Sequence, residues 1–342
     1  MRIALDAMGG DHAPNPIVAG AIQALEKDPE LEVFLVGEEN QLRKLVPSDN
    51  PVISRIHFHN ATQVVGMDES PAIGLRRKPD NTITRSWQLL ATGKVQGIVS
   101  AGNTGAMVAG GMFTRRFLPH VDRPGIATIM PTMRGPSIML DVGANVHPKA
   151  EHLFQYGVMG EIFARHLLKK EKPTIGLMNV GAEEGKGNEL VRLTQQMFAT
   201  CELQGNFIGN IEGRDIHKGV ADVIVTDGFV GNVILKVCEG LFEFIMKMVG
   251  KEVIGALDQE KEKGIGALHK LINTYDYSEF GGAPLLGIDG ICIICHGSSG
   301  ERAIKNALGL AAKLARAGIN KLIVEELERM PKITAPSTTP SI

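Results

Sequence analysis

The stretch GIVSAGNTGAMVAGG, residues 97–111, decides how the rest of the chain reads. An apolar strand-like run, Gly97–Ser100, delivers the chain into Ala101-Gly102-Asn103-Thr104-Gly105, and a run of small helix-forming residues follows. The loop has no bulk and no charge, and it offers many hydrogen-bond donors.

The same grammar returns along the chain: a short apolar run, a small-residue loop, then a helical period. It opens with Arg2–Asp6 and the loop Ala7–His12, after which Asn15 reads as an N-cap and Pro16 as the first helical residue. Strands are expected at 137–142 before a loop holding Asn145, at 174–180 before 181–188, at 222–226 before 227–232, and ahead of the loop 296–300. The spacing is irregular, which excludes a solenoid. Strands alternating with helices predict a three-layer α/β/α fold on a mostly parallel sheet. In such a sheet the strand C-ends share one edge, so distant loops meet in one crevice. Helix N-termini there favour an anion. Ser100, Gly102, Asn103, Thr104 and Gly105 are therefore read as part of a phosphate or oxyanion cradle, against the plainer reading of a tight packed turn.

Composition narrows the function. The 342 residues are 22% charged and 44% hydrophobic, with a formal net charge of −2. No long basic run supplies the footprint of nucleic-acid binding. MRIALDAMGG reaches Asp6 before a signal-length apolar stretch forms, and no run approaches the roughly eighteen apolar residues of a membrane span. The expected location is the cytoplasm. Cys292-Ile293-Ile294-Cys295-His296 superficially resembles a haem-attachment motif, but its Ile-Ile interior reads as a buried strand. His57 and His59 read as a solvated strand edge, and no second cysteine or histidine pair completes a zinc site.

Nucleotide motifs fail. No GxGxxG follows a strand, and Gly181–Gly187 (GAEEGKG) is one residue short of a Walker A loop and lacks its Ser/Thr. Lys186 still stands between glycines ahead of a helix, where it suits a small anion or is simply a solvated lysine. In Asp227-Gly228-Phe229-Val230-Gly231-Asn232, Asn232 is expected to cap the next helix, and Asp227 to orient a donor or take a proton. Residues 234–251, ILKVCEGLFEFIMKMVGK, carry one narrow polar stripe on an otherwise apolar circumference. With the pattern up to Ile272 this predicts a protruding αα-hairpin, about 233–275, whose surplus apolar surface reads first as homodimer packing and second as a purely internal core. The Pro/Ser/Thr-rich tail, 331–342, reads as disordered.

The segments Met8–Pro14 (MGGDHAP), SAGNTGA (100–106), GNIEGRD (209–215), TDGFVGN (226–232), YSEFGGAPLLG (277–287) and HGSSG (296–300) carry a resemblance. From Met1 to about Leu327 the chain is similar to the bacterial acyl-(acyl carrier protein):phosphate acyltransferases of phospholipid synthesis. More distantly it resembles phosphate acetyltransferases and isocitrate/isopropylmalate dehydrogenases. One departure stands at Asn81-Thr82, where that family leads one to expect two serines; both replacements keep a side-chain oxygen.

The resemblance implies a Rossmann-like sheet shared by two lobes of one catalytic domain, residues 1–330. It implies that inorganic phosphate attacks a long-chain acyl thioester on acyl carrier protein, with no metal and no cofactor. It also implies a homodimer and a peripheral contact with the inner face of the plasma membrane near the hairpin. Within that frame Lys186 and the loop Ser100–Gly105 bind phosphate, and Asn232 with nearby N–H groups holds the oxyanion. Asp11, Asp227 and His296 orient groups or move protons, and Gly228 and Gly231 let the backbone approach. An acetyltransferase-like enzyme using coenzyme A, a dehydrogenase, a non-catalytic binding module and a covalent acyl-enzyme on Ser298 or Ser299 are the competing readings.

Overall fold

The computed structural model of the chain describes every residue except 202, 204, 259, 276–280 and 331–342, so the expected disordered tail lies outside the described residues. The first part of the chain forms β1 (Arg2–Asp6), α1 (Asn15–Lys27), β2 (Glu32–Gly37), α2 (Glu39–Leu45), β3 (Ile56–Asn60), α3 (Pro71–Arg77), α4 (Thr82–Ala91), β4 (Gly97–Ser100) and α5 (Thr104–Thr114). There follow β5 (Gly125–Met130), β6 (Ser137–Leu140), α6 (Ala150–Leu167), β7 (Thr174–Met178), α7 (Glu189–Ala199), β8 (Asn206–Ile211), β9 (Val223–Val225) and α8 (Gly228–Met248). The chain continues through α9 (Lys261–Tyr275), β10 (Ala283–Leu286), β11 (Ile291–Ile294), α10 (Glu301–Arg316) and α11 (Ile319–Arg329).

The strands form one 11-stranded sheet in the order β3-β2-β1-β4-β11-β10-β5-β6-β9-β7-β8. Its central strands are apolar on both faces, as a sheet covered on both sides requires. Ile3 and Leu5 face a core shared with α1, α6 and α10, whereas Ala4 faces one shared with α4 and α5. Three layers result, as expected from the alternation of strands and helices. Cys292 and Cys295 are buried on and just after β11, and burial pushes the Cys295 thiol up to about 12. β3 is the sheet's edge, where His57 Nε2 lies 2.8 Å from Glu32 Oε2.

One expectation is corrected. The strand C-ends do not share a single edge, because the sheet changes direction in its middle. β3, β2, β1, β4 and β11 are mutually parallel; β10 is antiparallel to both β11 and β5, and β5 is antiparallel to β6. From β6 through β9 and β7 to β8 the strands are parallel again, in the opposite sense to the first half. Register then decides where the ends fall. Ser100 pairs with Ile294 and Ile294 with Ala283; Leu285 pairs with Ile126, and Leu140 with Ala127. Continued through these ladders, the C-ends of β1, β4 and β11 stand within a residue of the level of the C-end of β6. The loops meet in the middle of the molecule instead of along one rim.

Two caps also differ from expectation. Asn15 is the first residue of α1, behind Pro14, and makes no capping bond. Asn232 lies inside α8, because Asp227 takes the cap position and accepts from Phe229 N at 3.0 Å and Val230 N at 2.9 Å. A carboxylate immediately before the helix satisfies the first-turn donors that an amide five residues on cannot reach.

The hairpin forms as expected: α8, a π-helical stretch Val249–Ile254, then α9. Its polar stripe is laced by Lys236–Glu239 and Lys247–Glu243 pairs, while Val237, Leu241 and Phe244 remain exposed.

Helix packing depends on absent side chains. A Cβ on Gly157 of α6 would lie 2.4 Å from Phe198 Cζ of α7, whose ring stacks on Phe207 at 4.7 Å. The expected result for Gly157→Ala is a loss of about 1–3 kcal/mol, the scale of core overpacking, in urea unfolding. An unchanged midpoint would mean that the aromatic stack yields freely.

Candidate active site

In the first half of the sheet the site is organised by a carboxylate. Asp6, the last residue of β1, is 1% exposed. It accepts from Ser100 Oγ at 2.8 Å and from Met8 N at 3.3 Å, and Ser100 Oγ in turn accepts from Gly102 N at 3.0 Å. The β1–α1 and β4–α5 loops are thus tied through one buried acid. Burial pushes its carboxyl above the usual range, and the Ser100 and backbone hydrogen bonds oppose that shift. The packing leaves no room for side chains: a Cβ on Gly9 would stand 2.5 Å from Asp6 Oδ2 and 2.7 Å from Gly102 N. The third loop of this half joins through Asp11, whose N–H donates to Gly297 O at 2.7 Å.

Asn103 closes the assembly from another side. At 6% exposure it caps α5 by accepting from Ala106 N at 2.9 Å. Its Nδ2 donates to the carbonyls of Gly66, Met67 and Glu69 at 3.0–3.1 Å. The departure Asn81-Thr82 acts similarly one loop away: Asn81 caps α4 by accepting from Thr84 N at 2.8 Å.

The second half repeats the device. Asp141, directly after β6, is fully buried and accepts from the N–H groups of Ile126, Gly143, Ala144 and Asn145 at 2.7–3.0 Å. Burial pushes its carboxyl up, against the pull of those four bonds. α8 crosses this loop at close quarters. A Cβ on Gly228 would lie 2.6 Å from Asn145 O, and one on Gly231 would lie 2.0 Å from Asp141 O, so both positions exclude any larger residue. Asn232 then donates from Nδ2 to Val142 O at 3.0 Å, which fixes its amide at the edge of the loop.

Between the halves lies a cavity of about 210 Å³. Thr104, Asn232, His296 and Ser299 contribute polar groups to its lining, and Lys236 and Glu239 pair at 2.8 Å on the α8 side. Ile126, Ile129, Val142, Leu235 and Ile294 supply an apolar wall. His296 Nδ1 lies 2.8 Å from Ser298 Oγ and 3.3 Å from Ser298 N, so the loop before α10 is folded on its own histidine.

The residues expected from the sequence therefore divide. Thr104, Asn232 and His296 share the cavity wall. Ser100, Gly102, Asn103, Gly105, Asp227, Gly228 and Gly231 build the loops around it; a Cβ on Gly105, for example, would meet Pro71 Cγ at 2.5 Å. Asp11 stands against Gly297. Lys186 is not brought into the cavity wall. It is exposed in the loop after β7, whose backbone is held by Asn179 Nδ2 donating to Lys186 O at 3.0 Å.

Sequence reasoning passed over Asp6 and Asp141. The signal was present in the shared Leu-Asp step at the end of an apolar strand, Leu5-Asp6 and Leu140-Asp141, each followed by a glycine-containing loop. Ser299 was weighed only as a possible acylated nucleophile, and its burial at the cavity could not be read from a loop of small polar residues.

A family model described as "Fatty acid synthesis protein" matches residues 1–322. A protein named phosphate acyltransferase from Geobacter sulfurreducens is 43% identical over 332 residues, spanning 96% of this chain and 94% of that one. One of the same name from Desulfitobacterium hafniense is 45% identical over 333 residues, with 96% and 98% covered. A third, from Trichlorobacter lovleyi, is 41% identical over 346 residues, with 100% and 99% covered. The chain belongs to this phosphate acyltransferase family. Among solved structures, a phosphotransacetylase from Staphylococcus aureus superimposes with TM-score 0.58 at 15% identity, over 92% of this chain and 94% of that one. A branched-chain phosphotransacylase from Enterococcus faecalis does so with TM-score 0.55 at 14% identity, over 92% and 98%. At such identities the likeness is one of fold.

Removing the Asp141 carboxylate strips four N–H groups of their acceptor, that of Ile126 buried and those of Gly143, Ala144 and Asn145 half-buried. Each unsatisfied donor costs about 1–3 kcal/mol, so Asp141→Ala is expected to lose at least about 3 kcal/mol in urea unfolding, and Asp141→Asn less. A near-native midpoint for Asp141→Ala would show that the loop holds without its acid.

Proposed function

We propose that this acyltransferase moves a long-chain acyl group from acyl carrier protein to inorganic phosphate, forming acyl phosphate for phospholipid synthesis and releasing the carrier thiol. The observation that carries the reading is the cavity between the half-sheets. It is polar at Thr104, Asn232, His296 and Ser299 and apolar along β5 and α8, in a chain more than 40% identical to proteins named phosphate acyltransferase.

The chemistry suits such a cavity. At neutral pH inorganic phosphate is a mixture of mono- and dianion, so an anionic oxygen is available for attack without a strong base. The departing thiol, with pKa ~8.5, leaves as thiolate without a strong acid. Phosphate oxygen forms the new bond to the thioester carbon, the oxygen of that carbonyl takes negative charge, and the C–S bond then breaks. The enzyme must orient the phosphate and supply donors to that oxygen. Asn232 has one amide N–H on Val142 O and a second to offer the oxyanion. Thr104 and His296 stand on the same wall for orientation or proton transfer, with Asp11 and Asp227 acting through the loops they hold. Lys186, outside the wall, is proposed to draw the anion toward the cleft from a distance, an effect that salt screens. Direct displacement needs no acyl-enzyme.

The cavity is only modestly larger than the ~150 Å³ that encloses benzene in a protein core. A thioester head fits; a long chain leaves by the apolar side. The surplus apolar face of α8 and α9, with Phe244 60% exposed, is proposed to pair with a second copy of the chain and to touch the inner leaflet of the plasma membrane. Among the described residues no helix is long and apolar enough to cross a membrane.

Thiol release from a long-chain acyl carrier protein, with and without inorganic phosphate and with acyl-coenzyme A as the alternative donor, tests the reaction. Phosphate-dependent release from the carrier is expected. Equal or faster release from coenzyme A moves the chain to the acetyltransferase-like reading. Asn232→Ala should lower kcat about 100-fold or more, the scale of one oxyanion donor, with little change in KM for phosphate. Lys186→Met should weaken phosphate use most at low salt. For the hairpin, Phe244→Glu should reduce both dimerisation and liposome flotation; unchanged flotation would remove this face from the membrane contact.

A further inference from the structure

Helix N-termini around the cavity are not equivalent. Asn103 caps α5, and Asp227 caps α8, so in both a protein side chain already occupies first-turn donors. The 16-residue α10 begins after Gly300 with no side-chain cap. The N–H groups of Glu301 and Ala303 precede its first helical acceptor and have no internal partner among the described residues. The helix dipole adds positive potential at this end.

A second observation stands beside the first. Ser299 is only 9% exposed, lines the cavity, and its hydroxyl makes no hydrogen bond among the described residues. A polar group on so enclosed a residue, with no protein partner and open to the cavity, is placed to take one from a ligand. Ala303, one turn along, lines the same cavity. The carboxylates nearby are engaged elsewhere: Glu301 accepts from Gln23 Nε2 at 2.8 Å, and Glu239 pairs with Lys236 at 2.8 Å.

We infer that the N-terminus of α10, with the Ser299 hydroxyl, is the seat of the inorganic phosphate. The inference rests on the proposed acyl transfer and deepens it by naming where the nucleophile sits. Phosphate oxygens accept from Ser299 Oγ and the first-turn N–H groups, opposite Thr104 and Asn232, and the thioester carbon is met from the α10 side.

Gly300 permits a discriminating substitution. Its backbone, φ −88° and ψ −174°, has the extended geometry of a cap residue, and a Cβ there meets nothing within 4 Å. Gly300→Asp therefore places a tethered carboxylate over the donors, as a good N-cap does. The measurements are the rise in Tm with sodium phosphate at constant ionic strength and the phosphate KM of thiol release. For Gly300→Asp the phosphate-induced rise is expected to vanish while Tm without phosphate stays level or increases, which a merely misfolded variant would not do. Ser299→Ala should raise the phosphate KM about tenfold, the scale of a hydrogen bond to a charged group, with the donor KM unchanged and partial rescue by Ser299→Thr. Native phosphate dependence in both Gly300→Asp and Ser299→Ala overturns the site. Phosphate-induced stabilisation that these variants abolish, in a protein that releases no thiol, supports the site and overturns the proposed reaction instead.

Discussion

The antiparallel seam of β10 and β5 is the constraint on which the molecule turns. A wholly parallel sheet delivers every strand end to one edge, and its ligand lies outside that edge. Here the seam reverses the second half, and the register of the ladders sets the two groups of C-ends near one level. Helices leaving β4 and β11 start from one side of the cavity and α8 from the other, so their positive ends approach a common volume. An anion between them is favoured by several dipoles at once, without a dense cluster of side-chain charge.

Glycine and acid cooperate in making that convergence possible. Loops this close carry backbone N–H groups that are buried or half-buried, and such groups demand acceptors. Asp6 and Asp141 provide them, one in each half, and each sits where an added Cβ on the facing glycine would collide. Taking a carboxylate out of water is unfavourable unless hydrogen bonds compensate, and the clusters of donors around each acid supply that compensation. Each acid and its loop therefore stabilise one another, and the cavity lies between the two.

α8 joins the site to the exterior. Its first turns carry Asn232 and Leu235 into the cavity wall, while Val237, Leu241 and Phe244 further along are exposed. A helix is stiff over this length, so whatever settles on its outer part bears on the wall through rigid geometry. The apolar side of the cavity wall and an exposed apolar face thus share one element.

Local sequence determined much of this. Apolar runs followed by small-residue loops specify strand, turn and helix within a few residues, and the doubly buried strands, the hairpin and the hydrogen-bonding loops follow from periodicity and composition. Side-chain types also marked Thr104, Asn232 and His296 for the cavity wall. Tertiary structure alone decided the direction of the second half of the sheet, because a strand's apolar pattern is the same whichever way it runs. It also decided which polar residues face inward: Ser100 and Asn103 look like ligands in the sequence, yet their donors close on Asp6 and on the loop at Gly66–Glu69, while the plain Ser299 is left facing the cavity. A hydrogen bond is made with whichever partner the fold brings within reach, and residues 94 positions apart, such as Asp6 and Ser100, meet only when the sheet has formed.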